Sequence, residues 1–93
     1  MNTILINGNW QAAHDERVID VEDPATGKVF TQISRGVQSD IDGAVKAARH
    51  AFLTEWRNWP ALERGRLLCR IAARILAQAD EIAAIESRDT GKP

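Results

Sequence analysis

The sequence contains a single cysteine, Cys69, among 93 residues. This scarcity excludes an intrachain disulfide framework and a zinc site built from cysteine thiolates, and it favours a reducing intracellular compartment. No apolar run approaches the roughly 18 residues needed to cross a bilayer. The first residues lack the basic segment and apolar core of a signal peptide. We therefore expect a soluble, cytoplasmic protein without a membrane partner.

An excess of charge of either sign is also absent, because 12 basic residues face 13 acidic ones and the net charge is −1. Such a balance gives no electrostatic reason to expect nucleic acid as a partner. Arg66, Arg70 and Arg74 share one face of a predicted helix, and a basic stripe of this kind can bind nucleic acid or an acidic surface. Given the net charge, we interpret the stripe as a solvated or intersubunit face.

Two β-hairpins are predicted over residues 3–33. In the first, residues 3–6 and 9–12 flank Asn7-Gly8, the dipeptide that best tolerates the positive φ angles of a type I′ turn. A plain loop after one strand is the alternative. In the second, residues 17–21 and 28–33 flank a turn in which Pro24 presets φ and Gly27 accepts a left-handed conformation.

Helical periodicity begins at Ser39, which we predict to cap the backbone N–H of Asp42 and to start a helix over residues 40–54. Its apolar stripe consists of Ile41, Ala44, Val45, Ala48 and Phe52.

A second, long helix is predicted over residues 60–88, with Pro60 in its first turn and Gly91 as its left-handed cap. Trp56 and Trp59 precede it, and we expect them to wedge the two helices into an antiparallel pair. We also expect all three tryptophans, including Trp10, to be structural anchors.

The long helix carries an apolar face too broad for one neighbour. Its members are Leu67, Leu68, Ile71, Ala72, Ile75, Leu76, Ala79, Ile82, Ala83 and Ile85. We expect such a chain to be a piece of a larger fold, and by itself to unfold with poor cooperativity or to self-associate.

Residues for catalysis are not apparent. The two histidines, His14 and His50, are not placed near Cys69, and a thiol inside a helix is more often structural than nucleophilic. A Gly-x-Gly-x-x-Gly fingerprint is missing, and Gly91-Lys92 is followed by Pro93 where a P-loop needs Ser or Thr. We assign no catalytic and no cofactor-binding residue to this chain.

In order and spacing, the segments along the chain resemble the N-terminal region of the aldehyde dehydrogenase superfamily. The segments are residues 6–10, 23–29, 40–42, 44–52, Trp56, residues 63–64, 67–68 and 70–72, and the final Asp-Thr-Gly-Lys-Pro of residues 89–93. The resemblance covers nearly the whole chain.

The resemblance implies an α/β parent enzyme, of which residues 1–93 form the N-terminal part of the NAD(P)-binding domain. It implies oxidation of an aldehyde to a carboxylate with NAD or NADP, by way of a cysteine thiohemiacetal and thioester. The family's nucleophilic cysteine and cofactor loops belong to regions beyond residue 93, and Cys69 does not match that nucleophile. The isolated segment is therefore expected to be inactive, and the parent to be a homodimer or homotetramer.

Relatives similar to betaine aldehyde dehydrogenases bind a structural K⁺ or Na⁺. Carried over by motif, the positions that would contribute here are Val21, Glu22 and Asp89. Hard cations of this kind prefer carbonyl and carboxylate oxygens. Two features weigh against the site: Glu22 stands where those relatives often have an apolar residue, and Asp89 could simply cap local backbone.

The alternative interpretation of the whole chain belongs to another functional class. It is a free-standing helical module that binds a partner protein through the broad apolar face.

Overall fold

The computed structural model describes residues 3–93 as two antiparallel strand pairs followed by helices. Met1 and Asn2, the first two residues of the N-terminal segment that lacks the features of a signal peptide, lie outside the described residues. The elements are β1 (Ile4–Ile6), β2 (Asn9–Gln11), β3 (Val18–Asp23), β4 (Lys28–Ser34), α1 (Gln38–Thr54), α2 (Ala61–Ala77) and α3 (Ala79–Thr90), with a short 3₁₀ turn at Trp56–Asn58 between α1 and α2. The predicted order of hairpins and helices is confirmed. The close packing expected between the first helix and the long helix is not observed among the described residues, because α1 mainly contacts the 3₁₀ turn and β1, and α2 contacts α3.

The first hairpin forms as its turn residues predict. Strands β1 and β2 pair antiparallel, with Leu5 opposite Trp10. Asn7 and Gly8 have φ angles of 53° and 76°, which are the positive values that a type I′ turn requires at both central positions. The alternative of a plain loop is excluded.

The second hairpin is longer and contains one irregularity. Gly27 adopts the predicted left-handed conformation, with φ 70°. Val21 pairs with Thr31 and Glu22 with Val29, so Phe30 is an extra residue on β4. A bulge of this kind bends the strand and leaves part of the backbone ladder unpaired.

Helix α1 begins earlier than predicted, and Ser39 is not its cap. The cap position is Val37, and the side chain that closes the first turn is Asp40, whose carboxylate accepts a hydrogen bond from the Val37 N–H at 2.9 Å. The carboxylate is aimed at this end of the helix because it also binds the backbone N–H of His14. The helix therefore starts at Gln38, two residues before the predicted start at residue 40.

The single helix predicted over residues 60–88 is two helices. At Gln78 the backbone turns to φ −111° and ψ 18°, and its N–H is shared between the carbonyls of Arg74 and Ile75. Asp80 and Glu81 lie in the first turn of α3, where negative charge is favourable to a helix N-terminus. The break gives α3 its own direction and lets it pack against β3.

The tryptophans are less enclosed than expected. Trp56 and Trp59 contact each other with ring centroids 5.6 Å apart, but Trp59 is 40% exposed and Trp10 is 63% exposed. The structural role expected for Trp10 and Trp59 therefore stays a prediction, because each ring is partly open to solvent in this segment.

The whole chain is a thin layer. Its Cα atoms span 48 × 34 × 16 Å, with a radius of gyration of 16.9 Å, against about 12 Å for a compact domain of this length. Its accessible surface is 7642 Å², against about 5,400 Å² for a folded monomer of this mass. Among residues 3–93, the buried residues are Ala13 and Asp40. The layer has almost no core of its own.

Within the described range of the chain, no helix is both long enough and apolar enough to cross a membrane.

Candidate functional site

The C-terminal motif docks on the turn of the second hairpin. Gly91 ends α3 with φ 79°, and its N–H donates to the Ser87 carbonyl at 2.8 Å. A Cβ at Gly91 would lie 3.1 Å from Cγ of Pro24, which is closer than ordinary van der Waals contact. Glycine is thus required here both by the left-handed conformation and by the approach of Pro24. Two motifs that are far apart in sequence meet at this point.

Arg88 completes the contact from the side of α3. Its guanidinium lies 4.6 Å from the centroid of the Phe30 ring, which is the bulge residue of β4. Its Nε is 3.9 Å from Oδ2 of Asp23, and the other oxygen of that carboxylate accepts from the Ala25 N–H at 2.8 Å. A stacked guanidinium and a charged neighbour together hold the end of α3 to the hairpin.

Beside this contact runs an apolar groove of about 440 Å³ between the hairpin and α3. Two of the three positions predicted for a cation, Val21 and Asp89, line this groove. Glu22 follows Val21 on the strand and is exposed. Its Oε1 lies 3.9 Å from the position that a Cβ at Gly27 would take, so its side chain is directed along the turn. The structure therefore brings two of the three positions together, and Glu22 contributes no groove-lining side chain.

Of the three carboxylates at or beside the groove, two have a positively charged neighbour within the described residues. Glu86 pairs with Lys92 at 3.3 Å, and Asp23 faces Arg88. Within residues 3–93, no hydrogen bond or ion pair reaches the carboxylate of Asp89. That carboxylate is the anionic group at the groove still available to a cation.

Asp40 is a structural residue whose role the sequence argument missed. The residue is 8% exposed, and its carboxylate accepts hydrogen bonds from the His14 N–H at 3.1 and 3.2 Å and from the Val37 N–H at 2.9 Å. It therefore joins the segment before β3 to the start of α1. Its position three residues after Val37 was the available signal, because an acid at that position commonly closes a helix start.

The remaining candidates do not form a catalytic group. Cys69 is exposed on α2, where Arg66 and Arg70 line the same shallow surface groove and neither His14 nor His50 does. Arg66 is engaged by Glu63 at 2.8 Å, which agrees with a solvated face. Across residues 3–93, no cluster of three His, Cys, Asp or Glu side chains could hold a metal ion.

Comparison with known proteins decides the family. The model of the aldehyde dehydrogenase family matches residues 10–93, which is most of the chain and includes both docked motifs. The chain belongs to the aldehyde dehydrogenase family. It is similar to the mitochondrial aldehyde dehydrogenases of Mesocricetus auratus and Homo sapiens, each 43% identical over 99% of this chain.

Solved structures of family members contain the same arrangement of strands and helices. An aldehyde dehydrogenase of Burkholderia cenocepacia matches the whole chain with a TM-score of 0.94 and 45% identity. A betaine aldehyde dehydrogenase of Staphylococcus aureus, solved with NAD⁺, matches 94% of it with a TM-score of 0.90 and 33% identity. The chain spans about a fifth of these relatives, 19% of the Burkholderia chain and 18% of the Staphylococcus chain. The expected kinship with α/β dehydrogenases is confirmed.

Proposed function

We propose that this chain serves as the N-terminal region of an NAD(P)-dependent aldehyde dehydrogenase that oxidises an aldehyde to a carboxylate. The observation that carries the proposal is the family match over residues 10–93. It is supported by the approach of Gly91 to Pro24, which joins two of the motifs that carry the resemblance. The role of the chain in that enzyme is structural.

The chemistry belongs to parts of the fold outside this segment. In the proposed reaction a cysteine thiolate attacks the aldehyde, the resulting thiohemiacetal loses hydride to NAD⁺ or NADP⁺, and water releases the carboxylate from the thioester. Cys69 does not match that nucleophile. It lies exposed on α2, and neither His14 nor His50 lines the surface groove around it. The segment alone is accordingly expected to be inactive. The proposed enzyme is a cytoplasmic homodimer or homotetramer that does not act on nucleic acid or at a membrane.

The activity is tested with a chimera in which residues 1–93 replace the matching fifth of the Burkholderia cenocepacia relative. Aldehyde-dependent formation of NADH or NADPH by the chimera, and none by the 93-residue chain, is the expected result. A folded chimera without activity would refute the proposed role, as would turnover by the chain alone.

We further propose that the groove beside Asp89 binds a structural K⁺ or Na⁺. The free carboxylate of Asp89 and the position of Val21 in the same groove support this. The strand register shifts between Val21 and Glu22, opposite the bulge at Phe30. A hard monovalent cation is held by carbonyl and carboxylate oxygens, and the further ligands in this proposal come from outside the segment.

The cation is tested by collecting anomalous diffraction data from chimera crystals soaked in Tl⁺. A peak within ligand distance of an Asp89 carboxylate oxygen is expected, and its disappearance in Asp89→Ala is the control. Absence of the peak in the unsubstituted chimera would end this proposal.

A further inference from the structure

The asparagines of the chain differ in the residue that follows them and in how their side chains are held. Asn7 precedes Gly8, whereas Asn9 and Asn58 each precede a tryptophan. The side-chain amide of Asn9 donates to the Asn7 carbonyl at 3.3 Å, and that of Asn58 donates to the Thr54 carbonyl at 3.5 Å. Within residues 3–93, no hydrogen bond holds the side chain of Asn7. Its carboxamide is therefore free to rotate.

The surroundings of the first turn leave this carboxamide open to attack. Asn7 and Gly8 are both exposed. The groove that they line is closed on the α1 side by Ala44, Ala47, Ala48 and Ala51. Alanine side chains have no hydrogen-bonding atoms, so none of them can hold the carboxamide. A Cβ at Gly8 would meet nothing within 4 Å, so the space beside the glycine is open.

The backbone nitrogen of Gly8 is the nucleophile closest in covalent structure to the Asn7 carboxamide. A bond from this nitrogen to Asn7 Cγ closes a succinimide ring, and closure requires rotation about the Asn7 Cα–C bond. Strands β1 and β2 have three residues each and form a sheet of only two strands. A hairpin of this size is marginally stable at best. Its opening therefore gives access to the conformation that closes the ring.

We propose that Asn7 is a site of spontaneous deamidation, with water as the co-reactant. The Gly8 nitrogen forms a bond to Asn7 Cγ, the bond from Cγ to Nδ2 breaks, and the proton of the Gly8 N–H ends on the leaving nitrogen, which departs as ammonia. Water then adds to either ring carbonyl carbon and breaks the bond from that carbon to the Gly8 nitrogen, which regains its proton. The products are aspartate and isoaspartate, and nothing is oxidised or reduced.

The two products affect the hairpin differently. Each adds a carboxylate, which is ionised at neutral pH, to a chain whose net charge is −1. Aspartate before Gly8 also suits a type I′ turn, so this product keeps the hairpin. Isoaspartate routes the main chain through Cβ and Cγ and so lengthens the turn. The register that places Leu5 opposite Trp10 is then lost, because turn length fixes hairpin register.

The test incubates the 93-residue chain at mildly alkaline pH and follows each asparagine by peptide mapping with mass spectrometry. Asn7 is expected to convert to acid at least about tenfold faster than Asn9 or Asn58, because glycine leaves the attacking nitrogen unhindered and conformationally free. Asn7→Gly is the matched control, since Gly-Gly also suits a type I′ turn and carries no carboxamide. This variant should form no acid at position 7.

Equal conversion of Asn7, Asn9 and Asn58 would overturn the proposal. Aspartate without isoaspartate would overturn it as well, because direct hydrolysis of the amide leaves the main chain unchanged. A second arm repeats the incubation in denaturant. Asn7 should react in the native chain no more than about tenfold slower than in the unfolded chain, because the hairpin opens readily. A reaction confined to the unfolded chain would show that the folded turn protects Asn7, against the proposal. None of these measurements depends on aldehyde turnover, so the proposed function is tested separately.

Discussion

Replacing Asp40 by alanine should detach the start of α1 from the segment that precedes β3. The carboxylate accepts hydrogen bonds from two backbone N–H groups, those of His14 and Val37, while being 8% exposed. A hydrogen bond to a charged acceptor contributes about 1.5–3 kcal/mol, and losing a helix cap costs about 1 kcal/mol. The hydrogen-bond value and the helix-cap value describe the same contact at Val37, so that contact is counted once. We therefore expect a total local loss of about 3 kcal/mol over the two contacts.

Hydrogen–deuterium exchange by mass spectrometry measures this loss in the 93-residue chain, on peptides covering residues 13–17 and 37–41. Since about 1.4 kcal/mol corresponds to a factor of ten, protection should fall by roughly 100-fold or to the unprotected rate. Both peptides should lose protection together, because one carboxylate serves both. The method does not require the chain to unfold cooperatively.

Asp42→Ala is the matched control, because it removes the same side chain from the same helix. Asp42 is exposed, and within residues 3–93 its carboxylate accepts a hydrogen bond only from the Gln38 side chain, at 2.8 Å. Its loss should change protection by less than about 0.5 kcal/mol. If Asp40→Ala and Asp42→Ala gave equal exchange, or if only the 37–41 peptide responded, the bridging role of Asp40 would be refuted.

Three further outcomes follow from the docked C-terminal motif and the exposed thiol. Gly91→Ala should destabilise the chimera by about 1–2 kcal/mol, since alanine is strained at φ 79° and its Cβ would crowd Pro24; an unchanged denaturation midpoint would contradict this. Arg88→Ala should loosen the end of α3 more than Arg88→Lys, because lysine keeps the charge that faces Asp23 and can lie over Phe30; equal exchange of residues 86–91 in the two variants would contradict this. Cys69 should react with a disulfide reagent at one equivalent in the native 93-residue chain; reaction only after denaturation would show that it is enclosed.

The helix break at Gln78 shows where periodicity misleads. The stripe of Leu68, Ile71, Ile75, Ile82 and Ile85 continues through residue 78 with helical spacing, so it predicts one helix. The structure interrupts the backbone there, which lets α3 follow the hairpin. Asp80 and Glu81 indicate a new helix start, but this signal is weaker than the apolar spacing around it.

The candidate site was predictable in its residues and only partly in its geometry. Val21 and Asp89 came from the family resemblance, and the structure places both in one groove. The contact between Arg88 and Phe30 beside the groove was not predictable, because no residue pattern in β4 indicates the bulge at Phe30. The exposure of Trp10 was not predicted either, because the broad apolar face of the long helix indicated a larger fold without indicating which other side chains that fold covers.

The sequence by itself determined the local geometry of this protein: the positive φ angles at Asn7-Gly8, Gly27 and Gly91, and the helical character of residues 40–54 and of most of residues 60–88. These features depend on steric limits and side-chain spacing within a few residues, so residues adjacent in sequence are enough to predict them. Only the tertiary structure decided which distant groups meet, such as Asp40 with His14 and Gly91 with Pro24. Such contacts depend on how whole elements pack in three dimensions, and many different packings are compatible with the same local pattern.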